Sequence, residues 1–169
     1  MWTALLDPDR LRASLPDQPL PYAAAQERLT GGAVGAGAER VALGTSREGR
    51  PLELERFGDG PCRALWYAGP HANEVAGVAT VVALAERLAA EPALLDGPVG
   101  VDLLLCVDPD AYVRNEAWFG AEIDMTAYYR HFHRPAMDEW PTGTSPSSTA
   151  RCGGRRACRR PPPCSPRSS

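Results

Sequence analysis

Lysine is missing from this chain: all eighteen of its basic residues are arginine. With no lysine amine, Schiff-base catalysis and the lysine-bearing phosphate loop are excluded. Acid is missing from one end. Every Asp and Glu lies before residue 141, so twelve arginines against twenty-one acids give residues 1–140 a net charge of −9, while six further arginines give residues 141–169 a charge of +6. A phosphate-binding surface needs a basic patch, and the acidic body gives no support to nucleic-acid binding. Long apolar runs are missing too: nothing approaches the ~20 residues that span a bilayer. Met1 to Pro21 is interrupted by Asp7, Asp9, Arg10, Arg12 and Asp17, which is unlike the apolar segment of a secretory signal. These absences lead us to expect a cytoplasmic protein with no membrane partner. The short Cys-x-x-Cys element of a structural zinc site is also lacking. Cys62 and Cys106 fall in or beside apolar runs and read as small buried hydrophobes, while Cys152, Cys158 and Cys164 recur at six-residue spacing near the end. Finally, Thr142 to Ser169 holds no Leu, Ile, Val, Phe, Tyr or Trp. Such a segment cannot offset its ordering entropy by burial and is expected to be disordered. The abrupt break after Glu139-Trp140 is what an out-of-frame read through a GC-rich gene would give, so a truncated or frame-shifted reading frame is expected.

What is present suits a globular body. The chain of 169 residues is 44% hydrophobic, enough for one domain with a sizeable core. Pro21 to Leu29 reads as a helix with proline in its first turn and Gly31-Gly32 ending it. Val41–Leu43 and Pro51–Phe57 read as strands around the turn Gly44–Arg50, with Leu52 and Leu54 alternating against Glu53 and Glu55. Arg63–Ala68 is a mostly apolar strand. From about Glu74 to Pro92 the pattern is helical, with Val78, Val81, Ala85 and Leu88 on one stripe and Glu86 and Arg87 facing water. Val99–Val107 is a second buried-type strand. Strand, helix and strand at this length make a β-α-β unit with parallel strands. Residues 111–140 read as ordered loop with short helical turns.

Just beyond the first strand of that unit, Gly69-Pro-His-Ala-Asn-Glu74 sets a histidine and a carboxylate three apart, at a strand's carboxyl end where open α/β sheets place ligand crevices. Two readings stand side by side. His71 and Glu74 are either two metal ligands, a mixture that leaves zinc acidic enough to activate water, or a helix-start histidine with a favourable N-terminal charge.

Three blocks in order resemble the zinc carboxypeptidase family, with acyl-amino-acid deacylases as more distant relatives. Gly44-Thr-Ser-Arg-Glu-Gly-Arg50-Pro51 is similar to the family's Gly-x-Ser-x-x-Gly-Arg-Pro turn, Ala68–Gly77 to its first zinc-ligand block, and Asp108-Pro-Asp-Ala-Tyr112 to its Asn-Pro-Asp-Gly-Tyr segment, with Asp108 and Ala111 departing from the pattern. The likeness covers roughly residues 39–120. It implies an α/β fold: a partial zinc-carboxypeptidase-like mixed sheet with flanking helices over residues 1–140, followed by the disordered tail 141–169. It also implies Zn2+ held by His71 and Glu74, and hydrolysis of a peptide or acyl-amino-acid substrate by metal-activated water. Arg114 is the candidate substrate contact, though the family's arginine block has no clean match. The family's third ligand, a histidine after a later strand, and its glutamate base are absent as blocks. His131 and His133 are two apart but follow no such strand, so a surface or cleft role is the reading for both.

Asp108 and Asp110 read as loop-forming carboxylates, Gly49 and Arg50 as hairpin residues, and Gly77 as a close helix contact. Arg114 and Asn115 are expected over the cleft. Three functions remain open from sequence: an incomplete, weakly active or inactive metallocarboxypeptidase; a non-catalytic degenerate domain used for protein association through an exposed sheet edge; and a small acyl-amino-acid amidohydrolase using His131 or His133. Oligomeric state is not legible.

Overall fold

The short apolar runs assemble into one mixed four-stranded sheet with helices packed against it. The structure is a computed structural model and describes residues 5–120 and 124–134. The expectations for residues 141–169 lie outside the described residues. Strands β1 (Glu39–Thr45) and β2 (Pro51–Phe57) form the expected antiparallel hairpin, closed by Ser46 and Arg50 backbone groups at 2.8 Å, with Gly49 at a φ of 82°. Strands β3 (Cys62–Tyr67) and β4 (Val99–Leu104) are parallel, as the β-α-β pattern requires, and β4 also pairs antiparallel with β2. Among the described residues the order is β1-β2-β4-β3, which leaves β1 and β3 as the edges.

Helix α1 (Pro8–Ser14) starts where Asp7 accepts hydrogen bonds from the Asp9 and Arg10 amides, a standard cap for orphan donors. Helix α2 (Tyr22–Gly35) does not stop at Gly31-Gly32 but continues to Gly35. The reason is packing. A Cβ on Gly32 would lie 2.9 Å from the Ala85 carbonyl carbon, so the glycine lets α2 approach the backbone of helix α3 (Val75–Ala90). Gly31 has nothing within 4 Å and carries no such role.

On α3 the expected stripe is buried: Val78, Val81, Ala85 and Leu88 are all within the core. Its supposed wet flank is wet only in part. Arg87 is only 5% exposed and sits 3.5 Å from Glu91, and Glu86 holds the Arg28 guanidinium of α2 in a two-pronged bond at 2.7 and 2.8 Å. Both were drawn in because α2 and α1 pack over the flank that an isolated helix would leave to solvent. After a 3-10 turn (Pro92–Leu95) and β4, the chain forms α4 (Pro109–Asn115), a second 3-10 turn (Glu116–Trp118) and α5 (Met125–His131), consistent with short helical turns.

Side-chain alternation divides the sheet into unequal faces. Phe57, Val101 and Leu103 point to the helices and join Leu29, Val82, Leu84 and Leu88 in the core cluster, with the partly buried Trp66 packed against it. Leu54, Leu65, Tyr67 and Leu104 belong to the opposite face, and none is in that cluster. One helix-side position is charged: Glu55, 1% exposed, is held at 2.6 Å by Arg40, which also donates to Thr30 of α2. A buried carboxylate is tolerated when paired and hydrogen-bonded.

The two glycines of α2 should respond oppositely to alanine. Gly32→Ala should destabilise by about 1–3 kcal/mol through overpacking, whereas Gly31→Ala should stabilise by roughly 0.5–1 kcal/mol through helix propensity. Urea unfolding of both variants measures the two signs.

Candidate functional site

His71 and Glu74 lie where the sequence placed them, in the turn between the end of β3 and the start of α3. The Glu74 amide donates to the His71 carbonyl at 2.9 Å, and both side chains are exposed. Ala72 between them is buried, and the Asn73 amide nitrogen donates to the Tyr128 hydroxyl at 3.1 Å, which ties this turn to α5. The Asn73 carbonyl oxygen is buried without a hydrogen-bond partner among the described residues. The Glu74 carboxylate is 3.8 Å from Arg134, so its nearest recorded ion partner is a cation of the chain itself.

Zinc is overturned. Among the described residues no group of three or more His, Cys, Asp or Glu is arranged to hold a metal ion. The physical reason is a shortage of converging donors: a catalytic zinc needs three protein ligands around an open position, and the His71–Glu74 turn brings no third. His131 ends α5 with an exposed side chain, and His133 is engaged elsewhere. Zinc-dependent peptide or amide hydrolysis, the metallocarboxypeptidase activity and the Zn2+ cofactor expected from sequence therefore fall together. The small amidohydrolase reading needed the same ion and falls with them.

Arg114 lies on α4, half-exposed, with its guanidinium 2.8 Å from Glu48 in the β1–β2 turn and 3.4 Å from His133 Nε2. Glu48 also accepts from Arg50 at 2.5 Å. Asp110, expected as a local loop carboxylate, instead reaches across the fold: it accepts from the Ser46 hydroxyl at 2.7 Å, the Arg50 guanidinium at 2.6 Å and the Glu48 amide at 3.1 Å. Asp108 behaves as expected and caps α4 through the Ala111 amide. Partial burial pushes the Asp110 carboxyl up, but its Ser46, Arg50 and Glu48 donors outweigh that and hold it below the usual carboxylate range. Hydrogen bonds from Arg50 and Arg114 hold Glu48 low as well. The cluster fastens the hairpin turn to α4.

Asn115 was expected over a cleft and is instead fully buried. Its amide nitrogen donates to the carbonyls of Ala111 and His133, and its oxygen accepts from the Trp118 indole and the His133 amide, all between 2.8 and 3.0 Å. It is a hub that holds the segment after α5 against α4, helped by an edge-to-face contact of Trp118 with Tyr128 at 5.0 Å. Nothing in the local sequence distinguishes this asparagine from a surface one.

The remaining feature is the side of the sheet that none of the described helices covers. At the β3 edge Leu65 is 57% and Tyr67 55% exposed, and Leu43 at the far side of the same sheet is 54% exposed. Arg63 of β3 is neutralised by Asp102 at 2.7 Å and donates to the carbonyls of Gly58, Phe57 and Val101. Asp102 also pairs with Arg56 at 3.4 Å. Gly77 makes the close contact foreseen for it, since a Cβ there would lie 3.2 Å from that of Ala68. Among the described residues no helix is long and apolar enough to cross a membrane.

No family model matches the chain, and no curated protein matches it. Among solved structures, bovine thrombin-activatable fibrinolysis inhibitor in complex with tick carboxypeptidase inhibitor matches with 18% identity and a TM-score of 0.47, covering 54% of this chain. The match spans about a third of that protein, 32% of its length.

Two outcomes follow. In equilibrium dialysis against zinc, the wild type and His71→Ala should take up equal amounts, because the turn supplies no complete ligand set. Acid should weaken the hairpin fastening. Folding lowers both carboxyl pKa values, so as pH falls the unfolded chain binds protons first. The contribution is whole above about pH 5 and is lost as pH drops through the ordinary carboxylate range near 4 towards the depressed folded values. Asp110→Asn should thus lower Tm at pH 7, with the gap to wild type narrowing as pH falls through and below the ordinary carboxylate range, read by thermal unfolding across a pH series.

Proposed function

We propose that this chain is a non-catalytic, degenerate domain of the metallocarboxypeptidase type that serves protein association. The finer fold assignment, to the amino-terminal part of a carboxypeptidase-like sheet, rests on the three motif blocks at Gly44–Pro51, Ala68–Gly77 and Asp108–Tyr112. In this reading His71 and Glu74 occupy former ligand positions, and Arg114 serves as an ion-pair partner of Glu48 instead of a substrate contact.

The observation that carries the reading is the state of β3. Among the described residues it is an edge strand with two large side chains, Leu65 and Tyr67, each more than half exposed. An unpaired strand edge is a template for another chain, and proteins that do not use an edge blunt it with charge, proline or a bulge. The β1 edge is blunted in that way: its register with β2 shifts between Ala42 and Gly44, and it begins with Glu39 and Arg40. From Ala64 to Ala68 the β3 edge has no charge, proline or register shift.

Sedimentation equilibrium of the metal-free chain across a concentration series tests association. The wild type should show mass above the monomer, and Leu65→Lys, which places a charge on an exposed position of the edge, should return it to monomer while circular dichroism stays unchanged. A strictly monomeric wild type would count against the reading.

A further inference from the structure

Independently of that reading, we infer that the cleft between α1 and α3 is a binding site for a small monocarboxylate, whose carboxylate the Arg10 and Arg87 guanidiniums hold. The cleft has a volume of about 450 Å3, within the range of small-ligand pockets, and none of its lining residues lies on β3. Ala13 of α1 and Ala90 of α3 give it apolar walls, while Arg10, Glu86, Arg87 and Glu91 bring charge to it. Those charges are unevenly matched. Glu86 is taken up by Arg28 of α2 through the two-pronged bond, and Glu91 is shared by two guanidiniums, at 2.8 Å from Arg10 and 3.5 Å from Arg87. Among the described residues, three arginines against two glutamates thus make the local charge +1, within a body that carries −9.

The two lining cations differ in a way that serves capture of an anion. Arg87 is almost fully buried, so water screens its charge poorly and an anion brought beside it gains more than it would at the surface. Arg10 is exposed, and its flexible arm can follow an incoming ligand. Each guanidinium presents parallel N–H donors that match the two oxygens of a carboxylate. Charge then selects the ligand. One negative charge neutralises the local excess, whereas a phosphate dianion would leave a surplus negative charge beside Glu86 and Glu91. The alanine walls accept a compact apolar body such as a phenyl ring.

Amide NMR titration of the full chain with benzoate tests the site. Benzoate at millimolar concentration should shift the backbone signals of Ala13, Ser14, Arg87 and Ala90, while benzamide, a neutral analogue of the same shape, and inorganic phosphate should bind more weakly. Arg10→Gln removes one positive charge and should weaken benzoate binding; Glu91→Gln removes one negative charge and should strengthen it, each by roughly two- to fivefold. Both side chains are exposed, so circular dichroism should stay unchanged, and opposite signs from the two variants separate a charge-read site from loss of structure. No shift at these residues, or benzamide binding as tightly as benzoate, overturns the carboxylate site. Phosphate binding as tightly as benzoate overturns the choice of a monocarboxylate. Unchanged benzoate affinity in Arg10→Gln overturns the pairing of the two guanidiniums.

Discussion

The tight seat of α2 on α3 at Gly32 governs how this molecule is layered. Because the two helices share that contact and bury Leu29, Val82, Leu84 and Leu88 together with Phe57, Val101 and Leu103, the core lies on one side of a single sheet. Burial of a large aliphatic or aromatic side chain is worth about 1.5–3 kcal/mol, so this layer supplies the larger part of the hydrophobic stabilisation. The opposite face is held differently. Its buried polar member, Asp102, is satisfied by two arginines from neighbouring strands, and Leu65 and Tyr67 are left largely to solvent. A sheet covered on one side and unblunted at one edge is the physical origin of the association reading.

Much of the fold was legible because it is written in short-range periodicity. The hairpin, the β-α-β crossover and the buried stripe of α3 all came from alternation, helical spacing and turn residues, which act over a few positions. What failed was long-range. Gly31-Gly32 has the chemistry of a helix stop, and only the approach of Ala85, far along the chain, makes it a packing surface. Arg87 carries no local mark of burial. Asp110 sits in a loop-forming segment whose partners Ser46 and Arg50 lie sixty or more positions away, and the burial of Asn115 depends on a segment that returns eighteen residues later.

The site shows the same limit more sharply. A histidine and a glutamate three apart after a strand are easy to read, and the structure keeps them in the strand-to-helix turn. Yet a metal centre is a property of convergence. Motif blocks carry the local geometry of one ligand turn and say nothing about whether other donors arrive at it. The resemblance to a hydrolase family was strongest where local backbone shape is encoded and weakest where function is assembled.

The register shift in β1 has a consequence for assembly size. A sheet with two open edges can add neighbours at both and extend into a ribbon. Here the far margin is kinked by an inserted residue at Leu43, so its amides and carbonyls no longer match a straight incoming strand. Of the two margins of the described sheet, this leaves β3 as the one whose backbone groups match a straight incoming strand. Association of the kind proposed would therefore be confined to the β3 side of the described sheet.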